Sequence, residues 1–183
     1  VFGSALAAEG IFAFFLESSF LALLIWGERR LGERKHFLAA VALWVGSWLS
    51  GYFIVTTNAF MQHPVGFTRS ADGVFSIADL SAFLLNPWAL AQYAHTMVGA
   101  LVTGAFAMAG IAAYWTLRGE HGGPARVSLA TGVVAGLVAS ILVAMPTGHH
   151  QGRLAAQHKP VALAAMEGHF ESGRAILLEA RGQ

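Results

Sequence analysis

Apolar residues gather into four runs, each near the ~20 residues that an α-helix needs to cross a bilayer. They extend from Ser4 to Trp26, from about Phe37 to Thr57, from about Trp88 to Leu117 and from about Val127 to Met145. Gly27, Pro87, the Gly122-Gly123-Pro124 cluster and Pro146 punctuate their ends. This pattern predicts an all-α fold, a polytopic membrane helical bundle with four transmembrane helices over residues 1–146. From Thr147 onwards the chain turns polar, as TGHHQGRLAAQHKP, so residues 147–183 are expected to form an external segment. A helix-like stretch follows there, Val161 to Glu171, with Glu167, His169 and Glu171.

Charge orients the bundle. The short links carry Arg29, Arg30, Arg34, Lys35, Arg118 and Arg126, whereas the longer middle loop, about Asn58 to Pro87, sets Arg69 against Asp72 and Asp79. Basic loops stay on the cytoplasmic side. The N-terminus, the middle loop and the tail are therefore expected outside. Within the middle loop, FSIADLSAFLLNP reads either as a short helix lying in the interface or as a plain connector.

Composition agrees with a membrane protein: 56% hydrophobic residues, 11% charged residues and a mean hydropathy of +0.58, where a soluble domain carries about 25% charge. A net charge of +1 implies no polyanionic partner and no nucleic acid. The chain has no cysteine, which excludes disulfides, zinc–thiolate sites, cysteine-ligated clusters and covalent C-x-x-C-H haem attachment. Any metal or haem must be held by His, Met or carboxylate. The chain starts at Val1, and no positively charged stretch precedes the first run, which reads as an interior piece of a longer protein.

Against that apolar background a few side chains stand out. Glu9 and Glu17 are the only ionisable groups of the first run, and a carboxylate at bilayer depth costs at least a few kcal/mol, which marks it as functional by default. Eight residues of α-helix rise ~12 Å and rotate roughly 80° net, so Glu9, Ala13 and Glu17 descend one drifting face. That is the layout of a ligand or proton path. The bland alternatives are a dipole-favoured acid at a helix start for Glu9, and for Glu17 a buried acid bonded to Ser18 or to a serine of another helix. Ser47 and Ser50, one turn apart in the second run, either line a hydrated path with Glu17 or satisfy backbone carbonyls. Asn58 is equally ambiguous. His95 is the only histidine within the four runs, and imidazole is both a common metal ligand and the usual axial ligand of haem iron. Small neighbours (Gly99, Ala100, Thr103, Gly104) allow a helix or a flat macrocycle to approach. His149, His150, His158 and His169 match no zinc spacing. Taken alone, the intramembrane carboxylates also fit a proton-coupled membrane transporter segment that holds no haem.

Four stretches, in order, carry a resemblance: AAEGIFAFFLES, WVGSWLSGYFIVTTNAFMQHPVGF, LLNPWALAQYAHTMVGALVTGAF and GHHQGRLAAQHKPVALAAMEGHFE. The chain resembles subunit I of the cytochrome bd ubiquinol oxidases over nearly its whole length. The resemblance implies the third to sixth of nine transmembrane helices, plus the start of the external quinol-binding loop, in a terminal oxidase of the bacterial inner (cytoplasmic) membrane. It implies haem b, low-spin and high-spin, and haem d as cofactors. Quinol and molecular oxygen are the implied substrates, with subunit II and small accessory subunits as partners. By the same resemblance, His95 matches the axial histidine of low-spin haem b. Glu9 and Glu17 match the two glutamates near the high-spin haems, in oxygen chemistry and proton delivery. Ser50 and Asn58 match polar positions of the proton route, and Glu167 matches the loop glutamate of quinol oxidation. Many members have a lysine five residues before that glutamate, where Ala162 stands here; Lys159 is nearby but out of register. The remaining haem ligands would lie outside these 183 residues.

Overall fold

The computed structural model describes residues 3–168. His169 and Glu171, the far end of the helix expected in the tail, lie outside the described residues. Two units are distinguished, Val1–Tyr93 and Ala94–Gln183.

In the first unit, α1 (Gly3–Ala8) passes into a π-helical turn, Glu9–Phe14, and then into α2 (Phe15–Trp26). The first apolar run is thus helical, but not as one regular span. Its only long regular piece is the 12-residue α2. A π-turn closes i→i+5 bonds and takes in an extra residue, and such turns occur frequently at functional sites. Here the turn begins on Glu9. Among the described residues three helical stretches, rather than the expected four, are long and apolar enough to cross a membrane: Glu28–Gln62, Leu80–Leu117 and Gly122–His158.

Gly27 closes a tight turn between α2 and α3 (Glu28–Gln62), its amide donating to the Leu23 carbonyl at 2.8 Å. His36 Nε2 lies 2.8 Å from the Leu24 carbonyl oxygen and ties the two helices near that turn. At Gly32 the backbone leaves the helical region (φ 70, ψ 163), so α3 is regular only beyond it. The middle loop is neither pure helix nor plain connector. Strands β1 (Phe67–Arg69) and β2 (Phe75–Ile77) form an antiparallel hairpin with Thr68 opposite Ser76, a small exception to the expected all-α fold. The five-residue α4 (Leu80–Leu84) follows, capped by the Asp79 carboxylate, which accepts from the Ser81 and Ala82 amides. Buried Phe60 and Phe83 pack at 5.3 Å beneath this loop. Fully buried Asn86 donates to the His63 carbonyl at 3.0 Å and accepts from the Trp88 amide at 2.9 Å. This amide clips the end of α3 to the start of α5 (Pro87–Leu117).

In the second unit α5 is followed by α6 (Gly122–Leu142), and the two approach closely through small residues. A Cβ at Gly132 would fall 2.7 Å from the Ala105 carbonyl oxygen and 2.8 Å from the Ala109 amide nitrogen. Only glycine permits that approach. Pro146, expected to end the fourth run, instead sits within a second π-turn, Val143–Gly148. The helix continues as α7 (His149–His158), and α8 (Pro160–Met166) follows.

Across both units the buried hydrophobics are mostly alanines, whereas Phe15, Trp26, Phe37, Leu117 and Leu137 are exposed. Small residues inside and large apolar ones outside is the pattern of helices packed in lipid, where close backbone approach rather than water exclusion drives association.

Candidate functional site

The turn at Gly27 folds α3 back along the first segment, and this brings both carboxylates onto serines of α3. Glu17, nearer the turn, accepts from Ser47 Oγ at 3.1 Å, and Glu9, farther from it, accepts from Ser50 Oγ at 3.0 Å. All four residues are half-buried. Two acids eight positions apart thus pair with serines one helical turn apart. A serine hydroxyl that donates to a carboxylate keeps lone pairs to accept from a further donor, and the Glu17–Ser47 contact is the acid bonded to a serine of another helix that the sequence also allowed. The serines do not cap backbone carbonyls, and Ser50 bonds Glu9 rather than Glu17.

Asn58 is placed differently. Its amide donates to Gln92 Oε1 at 3.4 Å, and Gln92 Nε2 donates to Gln62 Oε1 at 3.2 Å. Gln92 is only 9% exposed. Beside this amide chain, Tyr93 donates its hydroxyl to the Trp48 carbonyl at 2.9 Å, and Tyr52 donates to the Leu84 carbonyl. Gln62, Gln92, Tyr52 and Tyr93 were not singled out from sequence. A carboxamide inside an apolar run, as at Gln92, was the available signal.

In the second unit His95 is half-buried on α5, and its Nδ1 lies 3.3 Å from Thr147 Oγ1. Thr147 stands in the second π-turn, and its hydroxyl donates to the Leu142 carbonyl at 3.0 Å. On the same helix, a Cβ built at Gly99 or Gly104 meets nothing within 4 Å. An imidazole engaged through one nitrogen, on a helix with open ground at its glycines, fits an axial haem ligand. Among the described residues no group of three or more His, Cys, Asp or Glu could hold a metal ion. Glu167 is exposed at the end of α8. Outside the spans, the Ser81 hydroxyl and then the Ala82 amide hold the Asp79 carboxyl below its ordinary value.

Long apolar helices, with carboxylates paired to hydroxyls and an imidazole inside apolar segments, define a helical protein of the membrane-spanning class. The chain belongs to the cytochrome bd terminal oxidase subunit I family, whose profile matches residues 1–181. It is similar to cytochrome bd ubiquinol oxidase subunit 1 of Bacillus subtilis, 37% identical over 171 residues, covering 93% of this chain and 36% of that protein. It is also similar to cytochrome bd-II ubiquinol oxidase subunit 1 of Escherichia coli, 36% identical over 173 residues, covering 94% of this chain and 34% of that one. Its fold is similar to that of the bd oxidase from Geobacillus thermodenitrificans, with a TM-score of 0.77 at 32% identity over 93% of this chain and 39% of that chain. The chain thus spans about a third of the length of the curated relatives it matches.

Proposed function

We propose that this chain is the part of a terminal quinol oxidase subunit I that receives electrons from quinol and delivers protons to the site of oxygen reduction. The observation that carries the reading is the pairing of Glu9 with Ser50 and of Glu17 with Ser47 inside apolar helices. Such costly carboxylates are expected to serve chemistry, and membership of the cytochrome bd subunit I family supports a place for them in a terminal oxidase.

Low-spin haem b, high-spin haem b and haem d would supply electron transfer and oxygen binding. His95 would hold the low-spin haem b. Glu9 would stand at the high-spin pair, where its carboxylate can ligate or take part in oxygen chemistry. Glu17 carries protons inward, and Ser50 and Asn58 are further members of that route; Asn58 acts by orienting donors, since an amide is not a proton carrier at neutral pH. Glu167 takes a proton from a quinol hydroxyl at the outer surface, because quinol oxidation releases protons and a surface carboxylate can accept them. With Ala162 in place of the usual lysine, His158 and Lys159 are the nearby groups left to share that site. Four spans, with both ends outside the bacterial cytoplasmic membrane, set residues 1–146 in the bilayer and begin the quinol loop at 147. Subunit II and small accessory subunits complete the enzyme.

A visible spectrum of the full-length protein in its membranes, reduced with dithionite, tests this. Reduced b-type bands and a far-red haem d band are expected, and His95→Ala should remove the low-spin b band while the protein remains inserted. A spectrum without haem would favour the proton-coupled transporter instead. An unchanged low-spin band in His95→Ala would refute the ligand assignment.

A further inference from the structure

The fourth apolar run does not end at Pro146, and what the chain does there bears on His95. Proline brings no amide hydrogen to the carbonyl four residues back, here that of Leu142. The helix widens into the π-turn Val143–Gly148, and the Thr147 side chain supplies a donor: its hydroxyl lies 3.0 Å from the Leu142 carbonyl and 3.4 Å from that of Val143. A hydroxyl has one hydrogen and two lone pairs. With its hydrogen committed to a carbonyl, Thr147 Oγ1 faces His95 Nδ1, at 3.3 Å, as an acceptor. Facing that acceptor, the imidazole would carry its hydrogen on Nδ1 and leave the unshared electron pair on Nε2. The ring also lies against the turn itself, with Cε1 3.7 Å from where a Cβ on Gly148 would be.

We propose that Thr147 is a positioning residue for His95. Its hydroxyl fixes the tautomer and the ring, so that Nε2 is the nitrogen offered to the low-spin haem iron. This rests on the reading of His95 as that ligand. A ligating histidine whose other ring N–H donates to a fixed acceptor is a better electron donor and is held in one orientation. Pro146 and the π-turn are thereby given a role: they place an acceptor on α6 where α5 presents its imidazole. Thr147 acts through His95 and touches no substrate.

The test uses the full-length subunit in the assembled oxidase, with Thr147→Val, which keeps the side chain's shape and removes the hydroxyl, and Thr147→Ser, which keeps the hydroxyl. In Thr147→Val the low-spin b band is expected to persist, with its midpoint potential shifted to a more positive value. The ferric low-spin g-values should shift as well, because an imidazole without an acceptor at Nδ1 stabilises ferric iron less. Thr147→Ser should return both towards the parent protein. Parent-like potential and g-values in Thr147→Val would overturn the inference while leaving His95 as the ligand. If Thr147→Val loses the low-spin haem, retention in Thr147→Ser supports the hydroxyl's role. Loss in both variants overturns it in favour of packing. A low-spin band retained in His95→Ala removes the ligand assignment on which the inference stands.

Discussion

Glu17 and Ser47 allow the proposed proton route to be separated from packing. Glu17→Gln preserves shape and can still accept from Ser47 but carries no proton. Positioned acid–base groups contribute roughly 10²–10⁴-fold, so oxygen uptake driven by quinol should fall by about 10²-fold with the haem bands intact. Ser47→Ala removes a single hydrogen bond, about 1 kcal/mol, and should slow turnover only several-fold. Wild-type turnover in Glu17→Gln, under proton-limited conditions, would remove it from the route. At this scale the acids and the histidine were legible in the chain, because an ionisable group in an apolar run announces itself by its cost. Ser47 and Ser50 were legible as candidates, but not which acid each meets. Thr147 was not legible as the partner of His95, because nothing local distinguishes a neutral hydroxyl beyond Pro146 from an exposed one.

Elements are held by features of two kinds. Between α5 and α6 the backbones meet at Gly132, where an added methyl group would press on backbone atoms of Ala105 and Ala109 that cannot rotate away. Gly132→Ala should therefore destabilise the purified protein by about 1–3 kcal/mol through overpacking, read as a lower thermal midpoint. Gly110→Ala, where a Cβ meets nothing within 4 Å, should be neutral or slightly stabilising, since alanine is the better helix former. Equal midpoints for the two variants would show that the close approach is not a constraint. In the middle loop, Asp79 caps α4 with a carboxyl held below its ordinary value by the Ser81 hydroxyl and then the Ala82 amide. A lowered carboxyl contributes stability above its unfolded value and loses it as pH falls through the lower folded one. Pepsin cleavage of the loop, taken at each pH relative to Asp79→Ala, should accordingly be slower in the native loop and approach that of the variant as pH is lowered below the ordinary carboxylate range. A native-to-variant ratio that does not change with pH would show that the cap does not hold the loop.

For the whole molecule, the chain's lack of cysteine makes the proposed topology testable. In the full-length subunit, with any other cysteines replaced, Asp72→Cys and Gln157→Cys should react in intact cells with a membrane-impermeant maleimide. Glu120→Cys should react only after permeabilisation. All three positions are exposed. Labelling of Glu120→Cys in intact cells would invert the arrangement. The exposed Phe, Trp and Leu side chains of the long helices belong to this scale too. Under the proposed topology they are the surfaces that would meet lipid.

Hydropathy, link charges and the ordered motifs by themselves determined the membrane class, the apolar helical runs and the family, since each is a property of neighbouring residues or of their order. Only the tertiary structure decided which serine serves which glutamate, that an amide chain runs from Asn58 through Gln92, and that a threonine beyond Pro146 meets His95. The serine and threonine contacts join residues 30, 41 and 52 positions apart. Periodicity says which face a side chain shares with its neighbours, not which face of another helix it meets. Tertiary structure also set the two π-turns, on Glu9 and around Pro146. A change from i→i+4 to i→i+5 bonding leaves the apolar pattern nearly unchanged, and it is settled by what the displaced side chains find to bond.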